Sequence, residues 1–110
     1  MDPTKNWAYV DFYYADLHLP ETSGIYLVFA ARAGRDICIY VGQTKDLKAR
    51  WSRGHNKALA CLREGADFIR FQPTLPENLD EEELKYIKHF EPALNVKGLG
   101  QSVSTSSPPE

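Results

Sequence analysis

The stretch of sequence that decides the fold covers residues 24–42 and reads Gly-Ile-Tyr-Leu-Val-Phe-Ala-Ala-Arg-Ala-Gly-Arg-Asp-Ile-Cys-Ile-Tyr-Val-Gly. Residues 23–31 and 36–42 are rich in β-branched and aromatic side chains, which favour strands. Residues 32–35 between them include glycine and read as a turn. The pattern predicts an antiparallel β-hairpin at the centre of the domain.

The length of the hairpin loop sets which side chains share a face of the sheet. A three-residue loop with Gly34 in the left-handed conformation places Ala31 opposite Arg35. Counting back along both strands, Tyr26 then faces Tyr40, and both rings lie on the same side. A shift of one residue would put them on opposite faces, because side chains alternate along a strand.

Helices and one more strand follow the hairpin. Asp46 is placed as an N-cap, and apolar residues then recur at helical spacing through position 62, with Gly54 as a point of division. Residues 68–72 form a strand pattern that ends at a proline. A last helix begins after Asn78 or Asp80 and ends before the next proline. The order of strands and helices indicates a small α+β domain.

Composition narrows the class of protein. The chain has 110 residues, enough for one domain, and a net charge of −2 from 13 basic and 15 acidic side chains. This balance excludes a strongly basic protein that coats nucleic acid. No apolar run approaches the ~20 residues that span a bilayer, and the opening residues do not resemble a signal peptide. With only Cys38 and Cys61, we expect no disulfide framework and no zinc site, and a cytoplasmic location without membrane contact.

Charge is concentrated in two segments of opposite sign. Residues 45–70 carry seven basic and three acidic side chains, whereas residues 77–91 carry six acidic and two basic ones. One segment could hold a phosphate and the other a metal ion. The alternative is two solvated helix surfaces.

The two ends of the chain differ from its middle. Residues 1–18 form an aromatic-rich N-terminal arm, residues 19–97 the folded domain, and residues 98–110 a polar tail that we expect to be disordered. The arm is read either as a short strand or as an irregular segment. It either packs against its own domain or offers a surface for self-association or base stacking.

Several segments, taken in order, resemble a known family. They are residues 19–26 (Leu-Pro-Glu-Thr-Ser-Gly-Ile-Tyr), Tyr40-Val41-Gly42, Arg50, Glu83 and Asn95. This order and spacing resemble the GIY-YIG nuclease superfamily over about residues 19–95. Similar domains occur in homing endonucleases and at the N-terminus of the bacterial excision-repair incision subunit. The resemblance implies a three-stranded antiparallel sheet flanked by helices and a metal-dependent endonuclease that acts on DNA, with DNA repair among its known settings.

The resemblance also implies roles for individual residues. Glu83 would bind one divalent metal ion, Mg²⁺ or Mn²⁺, with water as the remaining ligands. Arg50 would hold the scissile phosphate, where a permanently charged planar fork is suited. Tyr26 would be the general base and Tyr40 would orient it or the water. Lowering a tyrosine pKa from about 10 to 7 requires about 4 kcal/mol, which a nearby cation would have to supply.

The remaining implied roles concern binding and support. The family position four residues after the arginine is Gly54 here, so the catalytic role falls to His55, one residue later, or to Arg53. The cations predicted to bind substrate are Lys45, Lys48, Arg53 and Lys57. Gly24 and Gly42 are predicted to allow close backbone approach, and Asn95 to tie the chain down near the site.

Two functional readings stay open. The first is an endonuclease directed by the structure of its substrate, or dependent on self-association or a protein partner, because few basic side chains give modest affinity for plain duplex. The second keeps the fold as a nucleic-acid-binding or adaptor module with weak or no catalysis.

Overall fold

The computed structural model of the protein describes residues 2–52 and 56–95. Its four strands are β1 (Ala8–Asp11), β2 (Gly24–Arg32), β3 (Arg35–Thr44) and β4 (Ala66–Pro73). Its helices are α1 (Ala15–His18), α2 (Leu47–Ser52), α3 (Asn56–Arg63) and α4 (Leu79–Phe90). The predicted α+β class is confirmed. The interpretations placed on Arg53, Gly54, His55 and the tail from residue 98 lie outside the described residues.

All strands pair antiparallel in the order β1-β4-β2-β3, so β2 is central and β3 lies at one edge of the sheet. The sheet has four strands rather than three, because part of the N-terminal arm pairs with β4 as β1. In β1, Val10 is buried and Tyr9 is exposed, which is the alternation that an edge strand shows. Part of the arm is thus a short strand, whereas residues 15–18 form the helix α1, which neither reading of the arm included.

The predicted hairpin register is wrong at its turn. Arg32 pairs with Arg35, and only Ala33 and Gly34 form the loop. Both loop residues have positive φ angles, 54° and 78°, which is the pattern of a type I′ turn. Ala31 therefore faces Asp36 instead of Arg35. The sequence did not indicate this turn, since an alanine rarely adopts a left-handed conformation.

A β-bulge in β3 then restores the predicted placement of the two tyrosines. Phe29 pairs with Cys38 but Val28 pairs with Tyr40, so Ile39 is an extra residue in β3. The bulge reverses the alternation of β3, and both Tyr26 and Tyr40 belong to the same core. Tyr26 is opposite Gly42 rather than Tyr40, yet the two rings share a face as predicted.

The two faces of the sheet bury separate cores. The first face, covered by α1, α2 and α3, buries Val10, Ala15, Leu19, Tyr26, Val28, Ala30, Ile39, Tyr40, Leu47, Cys61, Ala66 and Ile69. The second face, covered by α4, buries Ile25, Leu27, Phe29, Cys38, Val41, Leu79 and Tyr86. Both cysteines are buried free thiols, Cys38 on the second face and Cys61 on the first.

The ends of α2 and α4 lie at residues that cap or terminate helices. Asp46 caps α2 as predicted, with its Oδ1 accepting from the amide nitrogen of Ala49 at 3.0 Å. Asn78 is the N-cap of α4, and Glu91 in left-handed conformation, followed by Pro92, ends that helix. None of the helices within 2–52 and 56–95 is both long and apolar enough to cross a membrane.

The N-terminal arm wraps around the β1 edge and contacts both faces of the sheet. Ahead of β1, Trp7 packs edge-on against Tyr86 of α4, with ring centroids 5.1 Å apart. After β1, Ala15 and Leu19 are buried in the first core. Tyr13, by contrast, is 65% exposed. The arm is thus part of the folded domain, with some of its aromatic rings left at the surface.

Candidate active site

Tyr26 lies at the centre of the candidate site and depends on a glycine beside it. Its side chain is fully buried on the first face, opposite Gly42 of the edge strand. A Cβ atom at Gly42 would overlap the hydroxyl end of the Tyr26 ring. Glycine is therefore needed here so that the phenol can lie across the backbone of β3.

Arg50 and two aromatic rings surround the Tyr26 phenol. The Nε of Arg50 donates to the Tyr26 hydroxyl at 3.4 Å. Ring centroids of Trp51 and Tyr40 lie 5.5 Å and 6.0 Å from that of Tyr26. Burial raises the pKa of Tyr26 well above its ordinary 10.0; Tyr40 adds to the rise and the Arg50 charge opposes it. In this arrangement Tyr26 is a neutral phenol at neutral pH.

Helix α2 brings Arg50 to the phenol. Leu47, fully buried in the first turn of α2, anchors the helix, and its amide donates to the carbonyl of Thr22 at 2.9 Å. A Cβ at Gly24 would lie 3.0 Å from the Leu47 Cδ1 and 2.6 Å from the carbonyl oxygen of Gln72. Gly24 therefore permits the close approach of α2 and β4, the kind of role predicted for it.

Tyr40 connects the site to α3. It is 8% exposed, and the ammonium nitrogen of Lys57 lies 5.8 Å from the centroid of its ring. This distance is within the range of a cation–π contact. Lys57 thus places a positive charge beside the tyrosine pair on the first face.

Glu83 lies on the other side of the edge strand, on the second face. Its Oε1 accepts from the Nε2 of Gln43 at 2.8 Å, and the same nitrogen donates to the Oδ1 of Asp80 at 2.7 Å. Burial raises the pKa of Glu83, opposed by the hydrogen bond from Gln43; the charge of Asp80 raises it further and that of Arg50 lowers it. The surroundings of the Glu83 side chain therefore favour its neutral, protonated form over the charged carboxylate.

The donor set at Glu83 suits a hard divalent cation that retains water. Within the described part of the chain, no three carboxylate, imidazole or thiol side chains converge as a closed metal site. A half-buried carboxylate with a second one beside it, and no soft ligand, fits Mg²⁺ or Mn²⁺ held through few protein oxygens. A cation would also relieve the burial and repulsion that raise the Glu83 pKa.

Asn95 supports the edge strand next to the site. It lies in the helical turn after Pro92. Its side-chain amide accepts one hydrogen bond from the backbone of β3 and donates one to it, as the backbone of a neighbouring strand would. Its Oδ1 accepts from the amide of Val41 at 2.7 Å, and its Nδ2 donates to the carbonyl of Val41 at 2.9 Å. These bonds fix β3 one residue before Gly42.

The predicted substrate-binding cations occupy different places. Lys45 is exposed in the loop between β3 and α2, whereas Lys48 donates from Nζ to the carbonyl oxygens of Asp16 and Leu17, both at 3.2 Å. Lys48 thus contacts the C-terminal end of α1, where a positive charge is favourable. Arg53 and the catalytic candidate His55 are outside the described residues.

The site as a whole surrounds the edge strand at Gly42. The first face contributes Tyr26, Tyr40, Arg50 and Lys57, and the second contributes Glu83, Gln43 and Asp80. Gln43 and Asp80 were not among the site residues expected from the sequence. The available signal was their position, since Gln43 directly follows Gly42 and Asp80 precedes Glu83 by three residues, on the same helix face.

Comparison with known proteins bears on the fold. No family model matches the chain, and neither does any curated protein sequence. Among solved structures, it is similar to the GIY-YIG N-terminal endonuclease domain of UvrC from Thermotoga maritima bound to its catalytic divalent cation, magnesium. That likeness has a TM-score of 0.58 and 23% identity, over 74% of this chain and 92% of that one. A single-residue variant of the same domain, bound to the catalytic divalent cation, gives a TM-score of 0.60 and 22% identity, over 74% and 91%.

The chain has the GIY-YIG fold. The resemblance expected from the motif segments is confirmed at the level of the fold, with β1 as a fourth strand of its sheet. Within this GIY-YIG fold, the motif tyrosines Tyr26 and Tyr40 lie in the central strand and the edge strand of the sheet. The roles of the site residues remain predictions from sequence and geometry.

Proposed function

We propose that the protein is a metal-dependent endonuclease that hydrolyses phosphodiester bonds in DNA. The observation that carries the proposal is the arrangement around Gly42, with the Arg50 guanidinium on the Tyr26 phenol on one side and the half-buried Glu83 carboxylate on the other. Phosphodiester hydrolysis needs positive charge on the phosphate and a group that manages the proton of the attacking water. This set of residues offers both.

Each side chain has one task in the proposed reaction. Glu83 would hold a divalent cation, which would supply positive charge to the phosphate and to the leaving oxygen. Arg50 donates to a non-bridging phosphate oxygen from the position where it now contacts Tyr26. In its ionised form Tyr26 would accept the proton of the attacking water while the new P–O bond forms and the P–O bond to the leaving oxygen breaks. Tyr40 packs beside Tyr26, with Lys57 over its ring. Asn95 and Gly42 keep the edge strand in place for the phenol.

The pKa of Tyr26 defines what the cation must do. Burial raises that pKa, and Arg50 alone does not bring it below its ordinary value. A second positive charge near the phenol is therefore required for Tyr26 to act as a base at neutral pH.

The substrate is proposed to be DNA of distorted or branched structure, or DNA presented by a partner or a second copy of the chain. Few basic side chains surround the site, and Lys48 already contacts α1. Phosphate neutralisation by so few cations gives weak affinity for ordinary duplex. Tight, sequence-specific binding of plain duplex at physiological salt would contradict this part of the proposal.

Nicking of supercoiled plasmid with Mg²⁺ or Mn²⁺ tests the activity directly. We expect the wild type to nick and Glu83→Ala to lose at least about a hundredfold, because the cation is no longer held. The matched control is Glu82→Ala, which removes the adjacent glutamate, engaged with Lys85 at 3.2 Å on the surface. The control should nick like the wild type, and equal nicking by all three proteins would mean a contaminating nuclease.

A second candidate function is a nucleic-acid-binding or adaptor module without catalysis. The observation that favours it is the same buried phenol, whose raised pKa makes it a poor base unless a cation is bound. If the wild type fails to nick plasmid, branched DNA and RNA, yet binds one of them, this second function replaces the first.

A further inference from the structure

Gln43 occupies a position between the two carboxylates of α4. It follows Gly42 in β3, and its side chain points to the second face, toward α4. Its Nε2 lies 2.7 Å from the Oδ1 of Asp80 and 2.8 Å from the Oε1 of Glu83. A primary amide nitrogen carries two N–H groups, so it can donate one hydrogen bond to each carboxylate.

The charges in this cluster do not balance within it. Asp80 and Glu83 are three residues apart on one face of α4, where like charges repel. The amide that joins them is neutral, so it orients both carboxylates without neutralising either. The nearby Lys85 is paired with Glu82 at 3.2 Å. The Arg50 charge also acts on Glu83, but one positive charge against two carboxylates leaves a negative charge that a divalent cation can satisfy.

We propose that Gln43 is a positioning residue for the cation site at Glu83, an inference that rests on the proposed function. Its amide engages one oxygen of Glu83 and one of Asp80, so that the cation, or water bound to it, takes the remaining oxygen. Asp80 contributes negative charge beside the site. Partners that hold a metal-binding carboxylate in place typically change metal affinity when they are removed.

A purely structural role for Gln43 makes a different prediction. An amide that only anchors α4 to β3 would affect the unfolding of the metal-free protein and leave cation affinity unchanged. A positioning residue acts on cation affinity in the folded protein. The two roles are therefore separated by measuring Mn²⁺ affinity and metal-free thermal stability on the same variants.

The experiment measures Mn²⁺ binding by titration calorimetry, and thermal unfolding in EDTA, for the full chain. Gln43→Met keeps the length of the side chain and removes the donor, and we expect it to weaken Mn²⁺ binding about ten- to a hundredfold. Asp80→Asn removes charge but keeps an acceptor for Gln43, so it should weaken binding less. Gln72→Met, at an exposed glutamine in β4, is the matched control and should bind Mn²⁺ like the wild type.

The outcomes separate this inference from the proposed function. Unchanged Mn²⁺ affinity in Gln43→Met, with or without a lower unfolding temperature, overturns the positioning role. If the wild type nicks plasmid and Glu83→Ala does not, the proposed function stands whatever the result for Gln43. A wild type that binds no Mn²⁺ overturns both. Weaker binding in Gln43→Met, with an unfolding temperature no lower than that of Gln72→Met, supports the inference.

Discussion

Two polar clusters on the second face of the sheet hold their carboxylates in opposite ways. In the first, Arg70 donates to the Oδ2 of Asp2 at 2.6 Å and to the Thr4 hydroxyl at 3.0 Å. In the second, Glu83 and Asp80 share the amide of Gln43. The first cluster pairs a negative charge with a positive one, whereas the second joins two negative charges through a neutral group.

The pKa shifts reflect this difference in charge balance. Burial raises the pKa of Asp2, but the hydrogen bonds from Thr4 and Arg70, with the Arg70 charge, outweigh it and the net pKa is lowered. For Glu83 the net pKa is raised, because burial and Asp80 outweigh Gln43 and Arg50. A cluster whose positive and negative charges balance stabilises the fold. A cluster with an excess of negative charge lowers the stability of the metal-free protein, and a bound cation can remove that cost.

Replacing Arg70, the positively charged member of the cluster with Asp2 and Thr4, should produce the largest loss of stability. The Arg70 side chain is 15% exposed, and its guanidinium carbon lies 4.6 Å from the centroid of the Phe29 ring. We expect Arg70→Met to lower the free energy of unfolding by about 2 kcal/mol, less than for a fully buried pair because Asp2 is partly solvated. Urea unfolding measures this.

The control for Arg70→Met is Arg35→Met, at an exposed arginine in the hairpin, which should change the free energy of unfolding by less than about 0.5 kcal/mol. Equal effects of the two substitutions would mean that the Asp2 cluster contributes no more than an average surface charge. Neither variant should alter Mn²⁺ affinity, since both lie outside the Gln43 cluster.

Asp2→Asn should have a smaller effect that depends on pH. The lowered pKa means that Asp2 adds stability above its ordinary value of 3.8, and that this stability is lost as the pH falls through the folded-state pKa. At pH 7 we expect the variant to be about 1 kcal/mol less stable than the wild type. The difference should shrink toward pH 3; a difference that stays constant with pH would contradict the assignment.

Glu83→Gln should have the smallest effect on stability, and one of opposite sign. A raised pKa means that the metal-free wild type loses stability as the pH rises above 4.5 through the folded-state pKa. The neutral variant avoids this loss, so at pH 8 in EDTA we expect it to be more stable than the wild type by less than about 1 kcal/mol. A variant less stable than the wild type at pH 8 would show that the Glu83 carboxylate is a structural ion.

The hairpin shows how far the sequence alone leads. Its strands, the place of its turn in the chain and the shared face of Tyr26 and Tyr40 followed from residue pattern, but the type of turn did not. The pairing did not, because the two-residue loop at Ala33 and Gly34 and the extra residue Ile39 each shift it by one residue. Tyr26 therefore lies opposite Gly42 rather than Tyr40, and both rings stay on one face. Neither has a distinct local signal, since a bulge is stabilised by packing on the sheet and not by the bulged residue itself.

The candidates for the site came from the resemblance to the GIY-YIG superfamily. Arg50, Glu83 and Asn95 stand in the segments that carry this resemblance and were proposed from it. Gln43 and Asp80 were not, because their contact joins a strand to a helix 37 residues away and appears only once α4 packs on the second face. The sequence did not decide whether residues 8–11 form a strand for a similar reason, because their pairing partner β4 lies far along the chain.

The bulge at Ile39 lies between the part of the hairpin that carries the tyrosines and the part that ends at the turn. The half that carries Tyr26, Tyr40 and Gly42 is pinned by the buried phenol and by Asn95, whereas the half from Arg32 to the turn is exposed. Residues 31–37 are exposed, so a change at the turn lies outside both cores. The turn at Ala33 and Gly34 is therefore a position where an inserted peptide or a fluorescent label would leave the candidate active site unchanged.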